Sequence, residues 1–172
     1  MDSEQLKSLQ GPLKEKYKRD PATALVTLRA RGRAPEGLSC KVETGKALVE
    51  AGLHPATGGD GTLICSGDML LEALVACAGV TLRAVAAAIG IELRDAAILA
   101  EGDLDFRGTL GVSKDVPIGF KAIRLCFELD TSASEEQKAA LLRLTERYCV
   151  VLQTLRVPPA ISVELRPLKT AP

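Results

Sequence analysis

Tryptophan is missing from this chain of 172 residues, and three phenylalanines and two tyrosines make up only 3% of it. A platform for stacking successive bases of single-stranded nucleic acid needs more aromatic faces than that. Net charge is missing too, since 22 lysines and arginines balance 22 aspartates and glutamates. The strongest basic run, "KEKYKR" at 14–19, carries its own glutamate, so no electrostatic footprint for a nucleic-acid backbone is visible. Five cysteines, at 40, 65, 77, 126 and 149, form no CxxC and no Cys/His metal spacing. The Gly-rich "HPATGGDG" at 54–61 lacks the GxxxxGK[ST] pattern and its phosphate-touching lysine. The opening "MDSEQLKSLQ" has neither the basic start nor the apolar core of a secretion signal. The most apolar segment, 67–90, is interrupted by Asp68, Glu72 and Arg83, and so reads as a core helix rather than a membrane span. The expectation is a cytoplasmic protein, without a membrane or nucleic-acid partner, in a compartment where disulfides are more often catalytic than structural.

What is there is an ordinary globular composition, 47% apolar and 26% charged. The length predicts a single domain over 1–172, with residues 1–20 as an N-terminal helical extension. In that extension Leu6, Leu9, Leu13 and Tyr17 recur at helical spacing, and Gly11-Pro12 predicts a break into two pieces. "ATALVTLRARGRA" then alternates, with Val26, Leu28 and Ala30 on one face and Arg29, Arg31 and Arg33 on the other. After the "PEG" turn, "LSCKVETG" alternates again with Leu38, Cys40 and Val42 inward, which predicts a β-hairpin. Ser66 and Asp68 are placed to cap a helix running to about Ile89 and ended by Gly90. Two strand patterns follow, "LRDAAILAEGDLDFRG" and "GFKAIRLCFELDT", the second with Cys126 inward. Ser134 and Glu135 open a further helix with Leu141, Leu144 and Tyr148 on its apolar side, and "AISVELRP" reads as a last strand. The order, roughly α-ββ-α-ββ-α-β, is α+β with hairpins rather than a doubly wound parallel sheet.

Chemistry rests on the sulfurs and the carboxylates near them. Cys77 lies mid-helix among Ala73, Leu74, Val80 and Thr81, where a free cysteine is ordinarily packing material. Cys149 follows "TERY" near a helix end, a place where a thiol is exposed and its thiolate feels Arg147. Cys65 precedes a helix start, whose positive dipole end favours a thiolate, and it competes with Cys77 as the reactive sulfur. Cys40 and Cys126 read as filler. Glu72 sits among Leu70, Leu71, Ala73 and Leu74, and burial of its carboxylate needs a cation or donors. Five residues of ideal helix put it about 140° from Cys77, so the two share a pocket only if that pocket wraps the helix or a second subunit completes it. The other reading makes Glu72 a surface charge.

"GDMLLEALVACAGVTL" and "LTERYCVVLQTLRVPPAISVEL" together resemble the two signature segments of the OsmC/Ohr superfamily. These are an apolar helix bearing a peroxidatic cysteine, and a second cysteine that ends a later helix before a short helical piece and a final strand. The N-terminal helix ahead of the hairpin makes the chain more similar to the OsmC-like branch. The resemblance implies an α+β fold with a long central Cys-bearing helix, and an intertwined homodimer. It implies a thiol-dependent peroxidase for organic hydroperoxides or hydrogen peroxide, in oxidative-stress defence. In that scheme Cys77 becomes a sulfenic acid, Cys149 condenses with it to a disulfide, and an external dithiol or lipoyl-type reductant restores the pair, with no bound cofactor.

The same resemblance implies an arginine on the first hairpin, Arg31 first and Arg29 second, held by a carboxylate. The family's orienting glutamate stands about ten residues before its cysteine, and here that position is Gly67, leaving Asp68 or Glu72 as the replacement. Where the family often has proline after its second cysteine, this chain has Val150. Two other functions stay open at this point. One is a non-catalytic dimer of the same fold that binds a small apolar ligand, and the other is a redox sensor that uses Cys65.

Overall fold

The computed structural model describes residues 3–20, 31–33, 39–43 and 48–167. Helix α1, Ser3–Arg19, runs unbroken through Pro12. The expected break is therefore corrected: Pro12 removes one backbone donor, and the turns on either side carry the helix across. Strand β1 (Arg31–Arg33) pairs antiparallel with β2 (Ser39–Glu43), Arg31 opposite Glu43 and Arg33 opposite Lys41. That is the predicted hairpin; its earlier half, with Val26 and Leu28, lies outside the described residues. Two further strands carry no long alternation in the sequence. β3 (Leu48–Gly52) pairs antiparallel with β2, and the short β4 (Ile64–Cys65) pairs parallel with β3.

Helix α2 spans Ser66–Ile89, and Gly90 ends it in the left-handed conformation, φ 74°, that glycine adopts without a Cβ penalty. Its start differs from expectation. Cys65, not Ser66 or Asp68, is the N-cap, and its Sγ accepts the Gly67 N–H at 3.4 Å. Pairing of Cys65 in β4 fixes the extended backbone a cap needs and leaves Ser66 as the first helical residue. Among the described helices α2 alone is long and apolar enough to cross a membrane, with mean hydropathy 1.8. Here it is the packing hub, in contact with α1 and with the later elements Asp95–Asp103, Glu135–Tyr148 and Val150–Arg156.

Strands β5 (Asp95–Asp103) and β6 (Ala122–Asp130) form a separate antiparallel ribbon, in register from Asp95 opposite Asp130 to Asp103 opposite Ala122. A short helix, α3 (Phe106–Thr109), lies in their connection, and the His54 ring stacks on Phe106 at 4.8 Å. Ile98 and Ala100 of β5 and Ile123, Leu125 and Phe127 of β6 turn toward the helices. Cys126 therefore points outward and is exposed, opposite Leu99, which corrects its inward assignment. The period of 2 allows one apolar set per face, and the bulkier set takes the core.

Helix α4 (Glu135–Tyr148) opens with a complete capping box between Ser134 and Gln137, and α5 (Val150–Arg156) follows after Cys149 alone. Leu141 and Thr145 form the buried side of α4, whereas Tyr148 is 58% exposed, contrary to expectation. Residues 160–167 make no strand, and Ile161, Val163 and Leu165 are 82%, 92% and 101% exposed. The alternation there is real, but no neighbouring strand among the described residues meets it. Among the described residues the fully buried large side chains are Leu74, Leu82, Leu141, Thr145 and Cys149. Three of them are leucines, each worth about 1.5–3 kcal/mol on burial.

Candidate active site

The most strongly positioned reactive group is Cys77. On α2 its face is set by Leu74 and Ala78, both 0% exposed, which press it toward Cys149 in one packed cluster. Cys149 is itself 0% exposed, so the expectation of a locally exposed thiol near Arg147 is corrected. The reason lies in the backbone. Cys149 closes α4, its N–H donating to the Thr145 carbonyl at 3.0 Å, and at once caps α5 with φ −72° and ψ 106°. That one extended residue turns its side chain inward. Arg147 instead lies over the Tyr148 ring at 5.5 Å. Arg156 meets Glu146 at 2.8 Å, and the Gln153 amide donates to the Glu146 carbonyl at 2.7 Å, clamping α5 back on α4.

The two sulfurs are driven in opposite directions. Burial works against the Cys77 thiolate, but the N–H of Val151, the Cys149 thiol, the N–H of Val150 and the Thr81 hydroxyl outweigh it. The Cys77 pKa is thereby held below the ordinary thiol value. Burial pushes Cys149 up, and its proton is further retained by facing Cys77. A thiolate is the nucleophilic form, so of the two sulfurs Cys77 is the one its surroundings favour for nucleophilic chemistry. The donors in the first turn of α5 and the hydroxyl of Thr81 were not singled out from sequence. Thr81 was visible as the residue four after Cys77 on the same face, whereas the backbone donors depend on the break at Cys149.

The other predicted site residues are dispersed. Asp68 and Glu72 are exposed on α2, and neither forms an ion pair among the described residues. Arg31 opens β1, but its side chain lies outside the described residues, as does all of Arg29. A Cβ built on Gly67 would touch Leu104 and Phe120 at 3.5 Å each, so apolar groups occupy the ground in front of it. Cys65 is held as a cap rather than turned toward Cys77. Cys65, Cys77, Cys126 and Cys149 are all free, the side chain of Cys40 lies outside the described residues, and no metal-binding cluster occurs among the described residues.

Two features beside the sulfurs were not expected. The Thr145 hydroxyl, 1% exposed, has no hydrogen-bond partner, a condition that costs about 1–3 kcal/mol. A cleft of about 570 Å³ runs between β6, α4 and α5, walled by Phe120, Ile123, Leu125, Leu152 and Leu155, with Glu146 and Arg156 also in its lining. Leu74 and Leu152 belong both to that wall and to the packing around Cys77 and Cys149.

A ribbon and helices around a central helix, with a thiol of lowered pKa packed against one of raised pKa, define an α+β protein built around a cysteine pair. The OsmC-like protein family matches residues 59–164, and the chain belongs to that family. The fold is shared with an OsmC-like protein of Mycoplasma pneumoniae at 18% identity and a TM-score of 0.65, covering 77% of this chain and 89% of that one. An organic hydroperoxide resistance protein of Legionella pneumophila is 19% identical with a TM-score of 0.61, covering 77% and 91%. One from Elizabethkingia anophelis is 15% identical with a TM-score of 0.61, covering 78% and 91%. No curated protein matches the chain.

Proposed function

We propose that the chain is a thiol-dependent peroxidase that reduces organic hydroperoxides or hydrogen peroxide in oxidative-stress defence. The observation that carries this reading is the opposed pair, Cys77 biased toward thiolate and Cys149 toward thiol, packed together at the α4–α5 break. In the first step the Cys77 thiolate attacks the terminal peroxide oxygen. The O–O bond breaks, sulfur becomes sulfenic acid, and the departing alkoxide takes a proton from water. In the second step Cys149 attacks the Cys77 sulfur; the S–S bond forms, S–O breaks, and hydroxide leaves as water with the Cys149 proton. An external dithiol of lipoyl type then reduces the disulfide, and no bound cofactor takes part.

Family membership supports this reading, as do the organic hydroperoxide resistance proteins that share the fold. The apolar cleft beside Leu74 and Leu152 suits the organic part of a hydroperoxide. In this reading the protein is cytoplasmic and a homodimer, and Arg31 or Arg29 supplies a cation to the site. One equivalent of cumene hydroperoxide added to the reduced protein should yield a Cys77–Cys149 disulfide, seen as a linked peptide by mass spectrometry. Both thiols remaining free while peroxide persists would sink the reading.

A second reading is favoured by the cleft and by Gly67: a non-catalytic dimer holding a small apolar ligand. It expects Cys77→Ser to leave the cellular role intact, and a phenotype equal to deletion counts against it.

A further inference from the structure

Thr145 holds a hydroxyl, 1% exposed and without a partner, one helical turn before Cys149. Threonine in a helix ordinarily returns its Oγ1 to a carbonyl three or four residues back, and here it does not. The Cys149 N–H still bonds the Thr145 carbonyl at 3.0 Å, so the two residues keep helical spacing. Side chains four apart on a helix lie with Cβ atoms about 5–6 Å apart, within reach of each other through rotation at Thr145 χ1. Cys149 is 0% exposed, so water does not reach its sulfur from outside.

We propose that Thr145 is a positioning residue for disulfide formation, its hydroxyl turning to donate a hydrogen bond to the Cys149 sulfur as that sulfur becomes the attacking thiolate. The proposal rests on the peroxidase reading for its place in the reaction. The need for a donor does not. A thiolate at Cys149 meets the backbone N–H groups of Leu152 and Val151 but is otherwise set in an apolar cluster, with Ile98, Ala100, Ile123, Leu125 and Phe127 of the described strands against it. The titratable group facing it from α2 is Cys77. On α4, Glu146 is paired with Arg156 of α5, and Arg147 is turned onto Tyr148. Once Cys77 carries a sulfenic oxygen it is no longer an anion opposing charge on Cys149, and the buried, unpartnered Thr145 hydroxyl, one helical turn away, can add a side-chain donor to the backbone donors of α5. In the step itself the Cys149 thiolate forms the S–S bond to Cys77, the S–O bond breaks, and hydroxide with the former Cys149 proton leaves as water. Thr145 neither gains nor loses a proton.

The test uses Thr145→Val, which keeps shape and removes the hydroxyl, and Thr145→Ser, which keeps the hydroxyl. After one equivalent of cumene hydroperoxide, Thr145→Val should form Cys77 sulfenic acid at the wild-type rate, trapped by dimedone. Its disulfide should form roughly tenfold more slowly, with sulfinic acid accumulating at Cys77, and Thr145→Ser should restore the wild-type rate. A second arm needs no peroxidase activity. In a Cys77→Ser background, the pH profile of Cys149 alkylation by iodoacetamide should move upward with Thr145→Val and stay in place with Thr145→Ser. A wild-type protein that forms no disulfide removes the peroxidase reading and leaves this second arm to decide for Thr145. An unmoved profile in Thr145→Val, or an equal shift in both variants, overturns the proposal.

Discussion

Where the family often has proline after its second cysteine, this chain has Val150, and the Val150 N–H is one of the donors favouring the Cys77 thiolate. The position tests itself unusually cleanly. Val150 is the first residue of α5, where proline is tolerated, and Cys149 before it already has the extended backbone that proline requires. The Val150 side chain is 69% exposed, so little packing is lost. Val150→Pro should leave the helical circular dichroism unchanged. Removal of a donor to the charged form moves the Cys77 pKa upward, so the thiolate fraction at neutral pH falls, and iodoacetamide should label Cys77 several-fold more slowly. Unchanged labelling would show that this N–H contributes nothing. Thr145 gives a second residue-scale expectation, of opposite sign for stability and chemistry. Replacing its unpaired buried hydroxyl by the methyl of valine should stabilise the fold by about 1 kcal/mol. That appears as a higher urea midpoint with unchanged slope; a lower midpoint would mean the hydroxyl is paired after all. At this scale Cys77 and Cys149 were legible through their matching contexts. The orphan hydroxyl was not, because burial of Thr145 depends on how α4 meets its neighbours rather than on any local pattern.

Among the elements, α4 was legible from its cap. Ser134 accepts the Gln137 N–H at 3.3 Å and the Gln137 side chain accepts the Ser134 N–H at 2.9 Å, the two bonds that "SEEQ" announces. Ser134→Ala should cost about 1 kcal/mol, read as a lower urea midpoint. The same helix positions Cys149, so the variant should also slow disulfide formation if the helix end loosens. The β5–β6 ribbon was less legible. Along β5 the parity was open, since Ala96, Ile98 and Ala100 on one face compete with Ala97 and Leu99 on the other; along β6, Arg124 and Glu128 share the parity of Cys126, and that signal pointed Cys126 outward. The ribbon carries a further expectation in acid. The Arg107 guanidinium holds Asp105 to a pKa of about 2, while Arg124 and Arg94 hold Asp103 and Asp130 below the ordinary carboxylate value. Depressed carboxyls stabilise the fold fully above their unfolded pKa and lose that contribution as pH falls through the folded value. The thermal midpoint should therefore be level above about pH 5 and decline between about pH 4 and pH 2. Because these pairs are exposed, molar salt should flatten the decline. A decline that salt leaves unaltered would assign the acid sensitivity to other groups.

For the whole molecule the telling feature is apolar surface that the described residues do not cover. Ile161, Val163 and Leu165 alternate along an extended segment after Pro158-Pro159, each more than four-fifths exposed, and Val80 on α2 is 73% exposed. The alternation of "AISVELRP" at 160–167 predicts a strand. The chain supplies the strand's sequence and no strand beside it among the described residues. Among the described residues the ribbon β5–β6 likewise has two strands, with no further strand on either backbone edge. A second copy offers the same segment and the same edges, which fits the self-complementary interface of a two-fold dimer. Burying three such side chains is worth about 1.5–3 kcal/mol each, and every 1.4 kcal/mol is tenfold in affinity. Sedimentation equilibrium at micromolar concentration should therefore give twice the chain mass, and Val163→Asp should weaken association by at least about a hundredfold. A chain that sediments as a monomer at tens of micromolar would remove the dimer from the proposed function. Retention of the Cys77 alkylation rate in a monomeric Val163→Asp variant would further show that the donors from α5 and Thr81, all within one chain, suffice to activate the sulfur.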